Sequence, residues 1–187
     1  PKEEYAFKVI VVGDGGVGKT SLIVRLTENR FSEDYKMTLG TSFAAHTMSV
    51  GDSVVTLQIW DLGGQPSFSH LRSFFYAGSK GGVIVFNLTD VKSFKSVSMW
   101  RKELFNVCGE VPIVIIGNKN DLAGERVVSQ QEAERLARSL GASYIETSAK
   151  TGDKVSMAFQ SIARRLLGVD EKPPLMIKGV AFPEIRS

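Results

Sequence analysis

The sequence predicts an α/β fold, and three observations carry that expectation. Continuous apolar runs at Phe7 to Val12, Gly82 to Asn87 and Val111 to Gly117 fit strands buried on both faces, as a helix-covered parallel sheet requires. Between and after these runs, apolar residues recur three and four apart, the period of a helix with one buried face. Ser42 to Val50 and Val54 to Trp60, joined by Gly51-Asp52-Ser53, predict an antiparallel hairpin at one sheet edge.

In chain order, the first run leads into a glycine-rich turn, and Ser21 to Glu28 reads as the helix that follows. After the hairpin and the run at Gly82, the positions Phe94, Val97, Trp100, Leu104 and Val107 form one helical stripe. Ser129-Gln130-Gln131-Glu132 is a capping box ahead of Ala133, Leu136, Ala137 and Leu140, and Gly141 stops that helix. Ser143 to Glu146 reads as a short strand, and Val155, Ala158, Phe159, Ile162 and Leu166 stripe the last helix. Lys172-Pro173-Pro174 breaks any further helix. Residues 1–168 are therefore expected to form one domain, with 169–187 as a flexible C-terminal tail.

Composition narrows the possible functions. In 187 residues, 23 basic side chains nearly balance 20 acidic ones, a net charge of +3, which gives no case for nucleic acid. Cys108 is the sole cysteine, so an internal disulfide framework is excluded, and its position late in a helix suits a small buried residue. No apolar run approaches the ~18 residues needed to cross a bilayer. Pro1 to Tyr5 lacks a signal-peptide pattern, and Phe182 to Ser187 carries no cysteine for prenylation. A monomer in the cytoplasm is expected, with peripheral membrane attachment left open.

Four segments carry chemistry. Gly13-Asp14-Gly15-Gly16-Val17-Gly18-Lys19-Thr20 has the G-x-x-x-x-G-K-[ST] spacing of a phosphate loop, between strand and helix. Its glycines let successive N–H groups turn inward around a phosphate, and the helix opening at Ser21 adds partial positive charge. Lys19 would neutralise the β- and γ-phosphates, and Thr20 would offer a hydroxyl to Mg²⁺. Asn118-Lys119-Asn120-Asp121 follows the strand ending at Gly117, at the sheet edge where α/β proteins bind ligands. The Asp121 carboxylate can accept from guanine's N1–H and exocyclic amine, a donor pair that adenine lacks. Lys119 can lie along the base. Ser148-Ala149-Lys150 can supply a main-chain N–H to the guanine O6 and a second aliphatic stem. In Trp60-Asp61-Leu62-Gly63-Gly64-Gln65, Asp61 can hold a water of the Mg²⁺ shell and Gly64 can approach a γ-phosphate. The Gln65 amide, donor and acceptor at once, can orient an attacking water.

With these segments in this order, the chain resembles Ras-superfamily small GTPases over roughly Phe7 to Leu167, and is most similar to the Rab branch. The resemblance implies a P-loop GTPase fold, with a six-stranded, mostly parallel sheet, one antiparallel edge strand and about five helices. It implies GTP and GDP as substrate and product, Mg²⁺ as cofactor, and two switch loops that sense the γ-phosphate. Thr38 matches the switch threonine that closes on Mg²⁺ and γ-phosphate, Phe31 the aromatic beside guanine, and Tyr35 the tyrosine that covers the phosphates. Catalysis would fall to Gln65, Lys19 and Thr38. Phe43, Trp60 and Phe75 match the apolar triad that meets effectors in Rab proteins; on sequence alone, Phe43 and Trp60 serve equally well as core. Effectors, an exchange factor and a GTPase-activating protein are the partners implied.

Two departures stand out. Leu62-Gly63 resembles the D-x-G-G-Q of Arf-type GTPases, and Pro66 replaces the family's usual Glu, biasing Gln65 toward extended backbone. Pro66 keeps open a second reading, a GTP-dependent effector-binding module with negligible hydrolysis. An ATP-using P-loop enzyme fits Asp121 poorly. His46 and His70 have no nucleophile or ligand set at useful spacing.

Overall fold

The computed structural model of the chain describes residues 1–34, 36–64 and 69–169. It contains β1 (Glu3–Val12), α1 (Lys19–Glu28), β2 (Thr41–Val50), β3 (Ser53–Leu62), α2 (Ser69–Tyr76) and β4 (Gly81–Asn87). These are followed by α3 (Val91–Lys95), α4 (Val97–Cys108), β5 (Ile113–Asn118), α5 (Gln130–Ser139), β6 (Ser143–Glu146) and α6 (Val155–Leu166). The six strands form one sheet in the order β2-β3-β1-β4-β5-β6. All neighbours are parallel except the β2–β3 hairpin at the edge, as the sequence predicts. The expected tail lies, from residue 170 onward, outside the described residues.

The period-2 alternation of a strand explains how the sheet acquires two cores. On β1, Val9 and Val11 face α1 and α6, joining Leu22, Phe159 and Ile162. Ile10 and Val12 face the opposite side, with Tyr76 of α2, Trp100 and Leu104 of α4, and Ala133 and Ala137 of α5. The run at Phe7 is longer than expected. β1 begins at Glu3 because Glu3 to Val11 pairs along the whole of Ser53 to Asp61, whose backbone satisfies residues too polar to announce a strand.

The single stripe expected from Phe94 to Val107 is a correction: it is broken into α3 and α4 at Ser96. Ser93 Oγ donates to Asp90 O at 2.8 Å and Ser96 Oγ to Lys92 O at 3.1 Å, hydroxyls that compete for helical carbonyls. Val107 lies 40% exposed, outside the core. Cys108 is only half-buried, and its thiol donates to Tyr76 O at 2.9 Å. The capping box of α5 forms as predicted, with Ser129 Oγ accepting from Glu132 N and the Glu132 carboxylate accepting from Ser129 N.

The parallel strands all release their chains at one edge of the sheet. The loops after β1, β3, β5 and β6 therefore converge there, and these loops hold the four segments singled out above.

Candidate functional site

Two ends of one site emerge from these loops. At the first, a cleft of about 410 Å³ is lined by Gly16, Gly18, Ser21, Phe31, Lys119, Asp121, Leu122, Ala149 and Lys150, among others. This volume suits a small organic ligand. Asp121 sits at its rim, where Oδ1 accepts from Ser148 Oγ at 2.7 Å. Its Oδ2 has no partner among the described residues, so a fixed carboxylate presents a vacant acceptor to the cleft.

Asn118 braces this end from beneath. It is 1% exposed; its Nδ2 donates to Val17 O at 3.0 Å, and its Oδ1 accepts from Thr147 Oγ1 at 3.0 Å and Ala149 N at 3.3 Å. One carboxamide thus ties the phosphate loop to the 147–149 loop. The approach is so close that a Cβ on Gly18 would lie 2.4 Å from Asn118 Nδ2, and Gly18 itself has φ +101. Lys119, with φ 68, turns the chain sharply out of β5.

The second end is built for anions and hard cations. Lys19 Nζ donates to Gly13 O at 2.7 Å and to Asp14 O at 3.0 Å, held at the loop's centre by its own main chain. Burial lowers its ammonium to about 8, against the pull of Asp61 and Asp14. Thr20 Oγ1 lies 2.5 Å from Thr38 Oγ1 and donates to Asp61 Oδ2 at 2.5 Å. Asp61 is 1% exposed; burial raises its carboxyl, while the Thr20 hydroxyl, the Lys19 charge and the Ser42 hydroxyl across the hairpin oppose the shift. Its Oδ1 is buried without a hydrogen-bond partner. Two hydroxyls beside a buried carboxylate form the all-oxygen donor set that suits Mg²⁺. Among the described residues, no group of three or more His, Cys, Asp or Glu could hold a metal ion.

Gly64 closes this end. A Cβ there would fall 2.4 Å from Gly13 O and 2.7 Å from Gly15 N, so only glycine brings this backbone against the phosphate loop. Gly63 N donates to Gly40 O at 2.8 Å, linking the segment after β3 to the one before β2.

Residues 8–168 match the family model described as Ras family. The chain belongs to the Ras family of small GTPases. Ras-related protein Rab-21 from Bos taurus is 42% identical over 172 residues, covering 90% of this chain and 78% of that protein. The Homo sapiens Rab-21 is also 42% identical, over 90% of this chain and 76% of its own length. Ras-related protein Rab-13 from Bos taurus is 38% identical over 165 residues, covering 88% and 81% respectively. This GTPase is thus of the Rab branch, a guanine-nucleotide switch of the kind that serves vesicle traffic.

Against that background, most sequence-predicted residues of the GTPase meet at the site, with some unexpected roles. Asp14 is in the loop, but its carboxylate faces away from the cleft, accepting from Ser96 Oγ and Trp100 Nε1, each at 2.8 Å. Ser148 acts through its hydroxyl on Asp121, and Ala149 N is engaged by Asn118. Tyr35, Gln65 and Pro66 lie outside the described residues. Phe43, 54% exposed, pairs across the hairpin with Trp60 at a centroid distance of 5.2 Å, and Trp60 lies 6.1 Å from Phe75. The triad is therefore contiguous, and Phe43 is outside the core. His46, in β2, and exposed His70, in α2, line neither end of the site. No helix among the described residues is long and apolar enough to cross a membrane.

Sequence reasoning missed Arg25, which joins α1 to the 148–150 loop, and Arg72, which is 5% exposed. Arg72 is paired with Glu103 at 2.6 Å and lies 4.7 Å from the Trp100 ring centroid. These contacts span 28 to 125 positions, and no local pattern announces them.

Proposed function

We propose that this GTPase binds GTP and GDP with the base in the cleft beside Asp121 and the phosphates over Gly13 to Thr20, and that it slowly hydrolyses GTP. One observation carries the proposal: Asp121 Oδ1 is fixed by Ser148 at 2.7 Å, at the rim of a cleft also lined by phosphate-loop residues. A fixed carboxylate with a vacant oxygen favours a purine edge bearing two donors. Lys119 and Lys150 flank the base, and Phe31 closes its side.

At the other end the phosphate-loop amides of Gly15, Gly16, Val17 and Gly18 and the Lys19 ammonium bind the β- and γ-phosphates and offset charge that grows during transfer. Thr20, Thr38 and, through water, Asp61 would hold Mg²⁺, which when bound supplies neutralisation of phosphate charge. Gly64 meets the γ-phosphate by its main chain. Gln65 is assigned the attacking water, from its position next to Gly64. No arginine of the chain is assigned to the transferred phosphate, and one supplied by an activating protein adds roughly 10³–10⁵ in rate. Phe43, Trp60 and Phe75 form the effector surface, and a state-dependent effector, an exchange factor and an activating protein complete the cycle. Peripheral attachment to membranes belongs to the same reading.

Single-turnover phosphate release tests the hydrolytic half. Wild-type protein should release phosphate slowly, and Gln65→Leu should lower the rate on the order of tenfold or more. An unchanged rate in the variant would remove Gln65 from the mechanism.

A further inference from the structure

We propose that Arg25, outside the nucleotide-contacting set, is a positioning residue for guanine specificity: it aims the Lys150 main-chain N–H at the acceptor edge of the base. The proposal rests on the reading of the cleft as a guanine site, and it names the group that recognises O6 and what holds that group in place.

Arg25 lies in the last turn of α1, the helix that begins with Lys19 and Thr20. Its guanidinium bridges two elements far apart in sequence. Nε donates to Ala149 O at 2.9 Å, and Nη2 to Lys150 O at 2.6 Å. Nη1 donates back to Asn29 O at 3.2 Å, at the end of the same helix. Two successive carbonyls of the 148–150 loop are thus held by one planar, permanently charged fork, a geometry that a lysine's single point charge cannot reproduce.

The consequence follows from peptide geometry. Among the described residues every peptide is trans, so a carbonyl turned toward Arg25 fixes the N–H of the next residue on the opposite side. Ala149 O faces Arg25, and Lys150 N–H therefore points away from α1. Lys150 lines the cleft, and its N–H has no partner among the described residues. The neighbouring amides are occupied: Ala149 N donates to Asn118 Oδ1 at 3.3 Å and Thr151 N to Ser148 Oγ at 3.0 Å. Of these three consecutive donors, one is left unused, and it is the one whose peptide Arg25 fixes. A cationic donor on the carbonyl also polarises that peptide and strengthens its N–H as a donor. Asp121 reads the donors of guanine, and the Lys150 N–H reads the acceptor, O6.

The test separates positioning from general scaffolding by varying the base. Wild-type protein, Arg25→Gln and Arg25→Lys are titrated with GDP, with inosine diphosphate, which keeps O6 but lacks the 2-amino group, and with 2-aminopurine riboside diphosphate, which lacks O6. Gln keeps part of the stem and one donor, which guards against loss of the fold. Both variants should bind GDP and inosine diphosphate roughly five- to tenfold more weakly, the scale of one neutral hydrogen bond, while affinity for the 2-aminopurine nucleotide changes less than about twofold. A parallel loss for all three ligands, or no loss for any, overturns the proposal. ADP serves as control. If wild-type protein does not prefer GDP to ADP, the guanine reading itself fails; if it does and the three ligands fall together, only the role of Arg25 fails.

Discussion

The two ends of the site are built differently. The base end is braced by the protein's own hydrogen bonds: Asn118, Ser148 and Arg25 donate to Val17, Asp121 and the carbonyls of Ala149 and Lys150. The phosphate-sensing end is held by a few small groups, namely the Thr20–Thr38 hydroxyl pair, the Gly63–Gly40 bond and the close approach of Gly64. Within the base cleft, Lys150 pairs with Glu33 at 3.1 Å, but their side chains are 54% and 78% exposed and the pair contributes at most ~1 kcal/mol. A switch needs this asymmetry. On the proposed reading, the base stays bound through the cycle, while the segments beside the γ-phosphate rearrange for little free energy.

The contrast can be broken in graded ways. The largest effect should come from Asp121→Asn, which replaces an acceptor with a donor facing guanine's own donors. GDP affinity should fall by roughly 10²–10⁴, the scale of two charge-assisted bonds, while xanthosine diphosphate, with a carbonyl at that edge, gains. Calorimetric titration with both ligands checks this. Gly64→Ala attacks the other end. Its methyl would strike Gly13 O at 2.4 Å, so affinity for a GTP analogue should drop on the order of tenfold, with GDP affinity spared. Equal losses for both nucleotides would mean that the two ends are not separable.

Smaller effects should leave nucleotide preference alone. Arg72→Met strands Glu103, which also accepts from Tyr76 Oη at 3.0 Å, between α2 and α4. Stability should fall by about 1–3 kcal/mol, read in urea unfolding of the GDP form, with the GDP-to-ADP preference unchanged. Ser129→Ala, which removes the α5 cap, should cost about 1 kcal/mol and lower the melting temperature by about 2–4 °C without touching either end.

What was legible in the sequence follows the same division between local and long-range causes. β4 and β5 announced themselves because strands buried on both faces must be apolar throughout. The phosphate loop, Asn118 to Asp121 and Ser148 to Lys150 were legible because each is a contiguous segment at the end of a strand. Its polar start hid the first half of β1, which exists only because β3 lies alongside. The break at Ser96 was hidden too, since it depends on hydroxyls that reach back to Asp90 and Lys92 and onward to Asp14. Arg25 read as an ordinary helix-surface cation; its partners, 124 and 125 residues away, come into reach only when α1 and the loop after β6 meet at one edge. Asp14 read as a phosphate-loop residue, and its side chain instead anchors that loop to α4 through Trp100.

The claim on which the rest stands is that a fixed Asp121 carboxylate makes this pocket selective for guanine. Competitive titration of the wild-type protein with GDP and ADP tests it most directly. A preference for GDP of roughly 10³-fold or more is the result expected of a site built to pair with donors that the wrong base lacks. Comparable affinity for the two nucleotides would contradict it.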